Sequence, residues 1–269
     1  KKMDAHIRDK ITSKEIMMNK LIRFNRNMGF LHLIQGGAIL VLSLVVDVFR
    51  DFQPPISASF LQGTRETYGP FSRVLFDLPF GILVSLFLLL SAFFHFLIAY
   101  VRKDQYLADL EKGRNSLRFY EYALSSSIMI VLLATMFGVL SIEGLLLIFV
   151  VNALMNLFGL LMEVMNPIGR EKTDWRPYFF GWIAGIAPWI IIVVYMLGSS
   201  DLSNLPWFVI PGLLFYFLVF NTFAVNQYLQ FKGLGKWKDY VYGERMYVVL
   251  SLIGKSVLAW FIFIGILLA

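Results

Sequence analysis

The sequence contains no cysteine. Disulfide bonds, cysteine-ligated zinc and thiol catalysis are therefore excluded. Charged residues are also scarce, at 16% of the 269 positions, whereas a soluble domain carries about 25%. Hydrophobic residues make up 58% of the chain, and this balance is typical of an integral membrane protein.

The apolar residues form continuous runs rather than an alternating pattern, which favours membrane helices over a β-barrel. Seven runs are long enough to cross a bilayer at about 1.5 Å per helical residue. We expect one all-α domain over residues 1–269, a seven-helix bundle preceded by a short interfacial helix within residues 1–26. The predicted spans are residues 27–48, 74–100, 118–138, 144–165, 178–197, 206–229 and 246–268.

The loop between the first two spans contains Ser, Thr, Phe and Tyr around Gly63. This composition predicts a small β-hairpin over Ile56–Tyr68. No other loop is long enough for a second domain.

The basic residues are distributed unequally between the two ends of the predicted bundle. Of the 24 Lys and Arg residues, 20 lie on the side of the N-terminus, three lie on the other side, and Lys255 lies inside the last span. Cytoplasmic loops carry such an excess, so we expect a multi-pass cell-membrane protein with a cytoplasmic N-terminus and an extracellular C-terminus. The hairpin then belongs to the first extracellular loop. Because the basic excess is explained by topology, we expect membrane lipid as a partner and no nucleic acid.

Lys255 is the most unusual residue of the last span, ten residues after Arg245 and fourteen before the end of the sequence. An ionised amine at that depth is costly, so it requires a partner, a water-filled cavity or a covalent modification. Glu121 in the third span is the natural counterion. Ser125 and Ser251 lie four residues from Glu121 and Lys255 and share their helix faces. One difficulty is that Glu121 lies only about one turn beyond the hydropathy edge at Arg118, shallower than Lys255.

Other polar residues of the spans allow functional and structural interpretations. His32, and Ser91 with His95 at i, i+4, could relay protons or simply bond neighbouring helices. Four acids close to predicted span ends are interpreted as interfacial, namely Asp47, Asp77, Glu143 and Glu163. Four aromatic residues lie deep enough to line a pocket beside Lys255, namely Trp182, Trp189, Phe220 and Trp260.

A buried lysine beside a carboxylate is compatible with two kinds of function. The pair could be a salt bridge that gates a transporter or receptor, or the amine could form a Schiff base with a carbonyl cofactor. No metal-ligand cluster or nucleophile–base pair is recognisable, so we do not expect an enzyme.

Several segments resemble those of heliorhodopsins over all seven spans: RFYEYALSSSIMIVL around Glu121, LSLIGKSVLAW around Lys255, and HLIQG in the first span. The resemblance implies all-trans retinal bound to Lys255 as a protonated Schiff base, with Glu121 as sole counterion. It also implies a homodimer and the inverted orientation expected above. The resemblance further assigns a polar network to Ser125, Ser251, Ser91, His32 and His95, and pocket or nearby positions to Phe220, Gln227, Trp260, Asn152 and Gln35.

The sequence also differs from that of microbial proton pumps, which carry a second carboxylate eleven residues after the first in span three. Here that position is Leu132, and Ser251 occupies the place of the pumps' aspartate before the lysine. We therefore expect a slow photocycle with internal proton transfer, no net ion transport, and a sensory role through an unknown signalling partner. A light-driven proton transporter or channel is the alternative.

Overall fold

The computed structural model describes residues 2–64, 67–198 and 206–268, with side chains from Ile16 onward. Within these ranges the chain forms nine α-helices and one two-stranded sheet. The helices are α1 (Lys2–Val45), α2 (Asp47–Arg50), α3 (Phe80–Phe96), α4 (Lys103–Glu111), α5 (Ser116–Met136), α6 (Ile142–Met165), α7 (Arg176–Gly198), α8 (Val209–Lys232) and α9 (Tyr240–Leu268); the strands are β1 (Pro55–Gln62) and β2 (Gly69–Asp77).

Seven helices, all except α2 and α4, are long and apolar enough to cross a membrane. The prediction of seven spans and a small β-hairpin is therefore confirmed. Large apolar side chains also point outward from the bundle: Leu147, Ile183 and Leu218 are all more than 60% exposed. An apolar outer surface is what a protein surrounded by lipid requires.

Three predicted boundaries were wrong. The hairpin runs from Pro55 to Asp77, and its second strand begins at Gly69, beyond the predicted range Ile56–Tyr68. Residues 2–26 do not form a separate interfacial helix, because α1 continues without a break into the first span. The second span begins at Phe80 rather than at residue 74, because residues 74–77 belong to β2. Their apolar side chains extend the hydropathic run, although they lie in a strand.

Local hydrogen bonds define where several helices begin and end. The Asn115 side chain accepts a hydrogen bond from the backbone N–H of Arg118 at 3.2 Å and caps α5. Ser141 caps α6 in the same way through Gly144 at 3.3 Å. Both satisfy backbone donors that the first helical turn leaves free. At the end of α8, Gly233 adopts the left-handed conformation at φ 61° that glycine permits.

The hairpin is antiparallel, with a register shift between Ile56 and Ser57. Ile56 is fully buried, and the backbone N–H of Ser57 donates to the Leu140 carbonyl at 2.9 Å. These contacts fasten the start of the hairpin to the turn between α5 and α6.

The apolar core has two parts. The main cluster fills the bundle and includes Phe87, Leu132 and Ile262. A smaller cluster lies at the end of the bundle where α5 and α9 begin, here called the basic end. It joins α1, the π-helical turn Leu97–Val101 that follows α3, and α4 through Met18, Leu21, Ile22, Ile98, Ala99, Tyr106 and Leu110.

Candidate functional site

The centre of the candidate site is the Lys255 amine. Lys255 is only 3% exposed, and its Nζ lies 2.5 Å from Glu121 Oε1. Nζ also donates to Ser91 Oγ at 2.5 Å, and Ser91 Oγ donates to the same Glu121 oxygen at 2.7 Å. The amine, the hydroxyl and the carboxylate therefore form a closed triangle between α3, α5 and α9. A buried cation next to a single carboxylate is neutralised without water.

The two helix-face pairs predicted from spacing lie around this triangle but make different contacts. Ser251 lines a cavity together with Lys255, one turn away on α9. Ser125 is fully buried, and its hydroxyl has no hydrogen-bond partner among the described residues.

The two span histidines lie side by side between α1 and α3. The rings of His32 and His95 stack with centroids 5.5 Å apart and planes 12° apart. His95 Nδ1 is 3.0 Å from Asn25 Oδ1, whereas neither ring nitrogen of His32 has a partner among the described residues. Only His95 lines the same cavity as Ser91 and Glu121.

An aromatic chamber adjoins the Lys255 amine. It consists of two cavities among α5–α9 that share the lining residues Tyr122, Met155, Asn156, Phe220 and Phe223. One cavity reaches Gly254 and Lys255, and the other extends along α7 to Trp182 and Trp189. The chamber is mainly apolar and elongated, with the amine at one end.

Glycine shapes one wall of this chamber. A Cβ at Gly185 would come within 2.6 Å of Met155 Sδ, so Met155 can occupy its position only because residue 185 has no side chain. At the other end, a Cβ at Gly254 would approach Val219 Cγ1 to 3.1 Å.

The residues that the resemblance assigned to the pocket fall into three groups. Phe220 lines the chamber beside Lys255, and Gln227 lines its far part while donating to the Gly159 carbonyl at 3.0 Å. Asn152 lies behind the chamber, where its amide donates to Ser126 and Ser127 of α5.

Gln35 and Trp260 do not line the chamber. They bond to each other, Trp260 Nε1 to Gln35 Oε1 at 3.1 Å, on the outer side of α1 and α9. Trp260 is 38% exposed. The assignment of Trp260 and Gln35 to pocket or nearby positions stays a prediction.

The sequence interpretation missed a second polar cluster, at the basic end. Arg118 forms ion pairs with Glu163 and Glu244, and all three side chains are at most 5% exposed. Glu163 was interpreted as interfacial, but it is buried between α5, α6 and α9. The periodicity of α9 offered a signal, because Glu244 precedes Ser251 by seven residues and Lys255 by eleven, and so shares their helix face.

Tyr122 was also missed, although it follows Glu121 directly. It lines both cavities of the aromatic chamber and the polar cavity beside Glu121. Its hydroxyl donates to the Tyr247 carbonyl at 3.0 Å, and the Lys255 Nζ lies 5.2 Å from its ring centroid. The Tyr122 ring therefore separates the apolar chamber from the polar cavity.

Comparison with known proteins identifies the family of the chain. The family model described as Heliorhodopsin matches residues 21–267, nearly the whole chain. A search of curated proteins found no match. The matched segment overlaps all seven candidate membrane helices and includes the Lys255–Glu121 pair and the aromatic chamber. The chain therefore belongs to the heliorhodopsin family.

Proposed function

We propose that the chain is a photoreceptor that binds all-trans retinal as a protonated Schiff base on Lys255, with Glu121 as sole counterion. Family membership implies that the chain is a retinal-binding photoreceptor, and its seven candidate spans make it a multi-pass membrane protein. The observation that carries the finer assignment is the position of the Lys255 Nζ, 2.5 Å from a buried carboxylate and at the end of an aromatic chamber.

The residues of the chamber fit an elongated apolar aldehyde. The walls are mostly aromatic and aliphatic. Because Gly185 has no side chain, Met155 has room to pack against α7 and form part of the wall. Apolar pockets with a few placed polar groups are typical of cofactor sites. Visible absorption and light-driven isomerisation are the chemistry that bound retinal supplies.

The protein residues provide the charge environment. Glu121 supplies the negative charge that a fixed cation at the Lys255 nitrogen requires. Ser91 is bonded to both groups and so holds the carboxylate oxygen toward the amine. Ser91 and His95 lie one turn apart on α3, which offers a proton route from Glu121 toward the stacked histidines.

We infer that this proton transfer stays within the protein. Leu132, which stands where pumps carry their second carboxylate, is fully buried in the apolar core. No described acid lies on that part of α5 to return a proton. An internal transfer coupled to a change of shape suits a sensory role, exerted through a signalling partner, rather than a pump.

We further propose that the basic end faces the cytoplasm, so that the hairpin lies outside the cell. This proposal rests on the excess of Lys and Arg at the basic end. A homodimer in the cell membrane is proposed from the family resemblance.

A visible spectrum recorded after adding all-trans retinal tests the proposal directly. We expect a visible pigment, and borohydride reduction followed by peptide mapping should place the retinyl group on the peptide that contains Lys255. Lys255→Ala should give a colourless protein of unchanged helical content. Covalent pigment that persists in this variant would contradict the assignment.

A further inference from the structure

The buried cluster at the basic end holds more acid than base. Arg118 Nη1 donates to Glu244 Oε1, and Nη2 donates to Glu163 Oε1. One guanidinium therefore neutralises only one of two carboxylates. Over the described residues, the buried Lys, Arg, Asp and Glu side chains are Arg118, Lys255, Glu121, Glu163 and Glu244. Two cations face three acids, and one negative charge is left.

The two acids of the cluster have different surroundings. Glu163 accepts three hydrogen bonds: from Arg118, from the Asn115 backbone N–H at 2.8 Å, and from the Tyr240 hydroxyl at 3.1 Å. Among the described residues, Glu244 accepts two, from Arg118 and from the Asn115 side-chain amide at 2.8 Å. Hydrogen bonds to a carboxylate favour its charged form. Glu163 therefore has more hydrogen-bond donors around it than Glu244 among the described residues.

The uncompensated charge is partly stabilised by backbone. Helix α5 begins at Ser116 and α9 begins at Tyr240, both next to the cluster. The N-terminal turn of a helix carries about half a positive charge, which favours a nearby anion. The two helix N-termini therefore offset part of the negative charge of the cluster.

A polar cavity connects Glu244 with the Lys255 site. Its lining includes polar side chains of both sites, namely Glu121, Ser91, Ser251, Asn115, Arg118, Glu244, His95 and Asn25, together with the apolar side chains of Phe94, Ile98, Leu117 and Val248. Its volume is about 30 Å³, and a polar cavity above about 10–15 Å³ can hold an ordered water molecule. Arg118 Nε, at the wall of this cavity, has no protein partner among the described residues and can donate to such water. A hydrogen-bonded chain from Glu121 to Glu244 is therefore possible within the bundle.

We propose that Glu244 is the terminal proton acceptor of the photocycle. The proton leaves the Lys255 nitrogen, crosses the polar cavity by way of Glu121, and forms a neutral carboxyl group at Glu244; no electron is transferred. The Lys255 site loses one positive charge, and the cluster at the basic end loses its excess negative charge. Arg118 then pairs with one anion, Glu163, instead of two. The contacts between α5, α6 and α9 therefore change at the basic end.

Several titratable groups surround Glu244, and their charges affect the transfer of the proton to it. They are Arg118 and Tyr122 of α5, Glu163 of α6, Tyr240 and Tyr247 of α9, His95 of α3, and Tyr106 of α4. The inference rests on the proposed function, because the proton that moves is the one held at the Lys255 nitrogen.

Infrared difference spectroscopy of the retinal-bound full chain tests the proposal. Light minus dark should show a new C=O stretch of a protonated carboxyl group, which shifts in heavy water. The band should be lost in Glu244→Gln and kept in the exposed control Glu143→Gln. A band that persists in Glu244→Gln would overturn the proposal. Imidazolium bands in place of any carboxyl band in the unmodified protein would also overturn it, because the proton would then reside on a histidine.

A second measurement needs no retinal. In the retinal-free protein with ¹³C-labelled glutamate, the carboxyl resonance that disappears in Glu244→Gln should have the chemical shift of a carboxylate at neutral pH. A protonated shift would overturn the proposal, since an acid that already carries a proton cannot accept one. If Glu244→Gln does not fold, Glu244→Asp should move the infrared band, and an unmoved band would assign it to another group.

The two proposals fail in different ways. If no pigment forms, the retinal assignment fails, and the ¹³C measurement still reports whether Glu244 is ionised. If pigment and photocycle are normal and the carboxyl band is indifferent to Glu244, only the acceptor assignment fails.

Discussion

Among the described residues, Glu121 is the only carboxylate within hydrogen-bonding distance of the Lys255 nitrogen, and Glu121→Gln removes it. The amide is nearly isosteric, so the packing between α3, α5 and α9 is kept while the negative charge is lost. A protonated nitrogen at residue 255 then remains as a buried cation without an anion, 3% exposed and next to an apolar chamber.

The cost of this change sets the expected effect. Removing one partner of a buried ion pair costs about 3–5 kcal/mol. One pH unit corresponds to about 1.4 kcal/mol between two protonation states, so the cost equals about 2–4 pH units. Because the charged form is the one that loses its stabilisation, the nitrogen should give up its proton at a pH about 2–4 units lower than in the unmodified protein.

The measurement is a pH titration of the visible absorption band of the retinal-bound protein in the dark. Glu121→Asp retains the charge and should move the midpoint far less than Glu121→Gln. Glu143→Gln, which removes an exposed acid at the start of α6, should leave the midpoint unchanged. A midpoint in Glu121→Gln within about one unit of the unmodified protein would refute the assignment of Glu121 as sole counterion.

Three further predictions concern transport, packing and a surface ion pair. Illuminated vesicles that contain the pigment should show no sustained pH change; a retinal-dependent change abolished by a protonophore would favour the proton transporter. Gly159→Ala should lower the free energy of unfolding by about 1–3 kcal/mol, because its Cβ would lie 2.4 Å from Phe119 Cε1. Gly37→Ala, with no atom within 4 Å, should not lower thermal stability. Hydrogen bonds from Arg176 lower the pKa of Asp174 to about 2, so Arg176→Gln should raise that pKa, as measured by NMR titration.

The overall architecture was predictable because its signal is long-range and redundant. Seven apolar runs of sufficient length leave few alternatives to seven membrane helices. The start of α3 was not predictable to the residue, because β2 ends in Val74, Leu75 and Phe76 before Asp77. In a strand these side chains alternate between faces, but a hydropathy profile averages over both faces. The predicted span therefore starts six residues before α3 does.

Part of the site could be identified from burial cost alone. Lys255 stood out because a lysine in the middle of an apolar run needs a reason, and Glu121 was the acid best placed to supply it. The cost of burying charge does not predict the orientation of Trp260 and Gln35, because an aromatic side chain packs equally well against the chamber or against lipid. The contacts of α9 with α1, rather than the residue type, decide that Trp260 bonds outward to Gln35.

The hardest feature to predict was the depth of Glu121, and the structure explains why. Hydropathy placed the edge of the third span at Arg118, which would leave Glu121 about one turn from the boundary. Arg118 is instead 5% exposed at its side chain and neutralised by Glu163 and Glu244. The smaller apolar cluster of α1, the π-helical turn and α4 covers the basic end, so the buried interior continues beyond the charge that seemed to mark its limit. A charged residue signals a boundary only when it is solvated, and a buried Arg with two acids is not. The group of Arg118, Glu163 and Glu244 that obscured the depth of Glu121 also contains Glu244, the carboxylate that we propose as acceptor of the Lys255 proton.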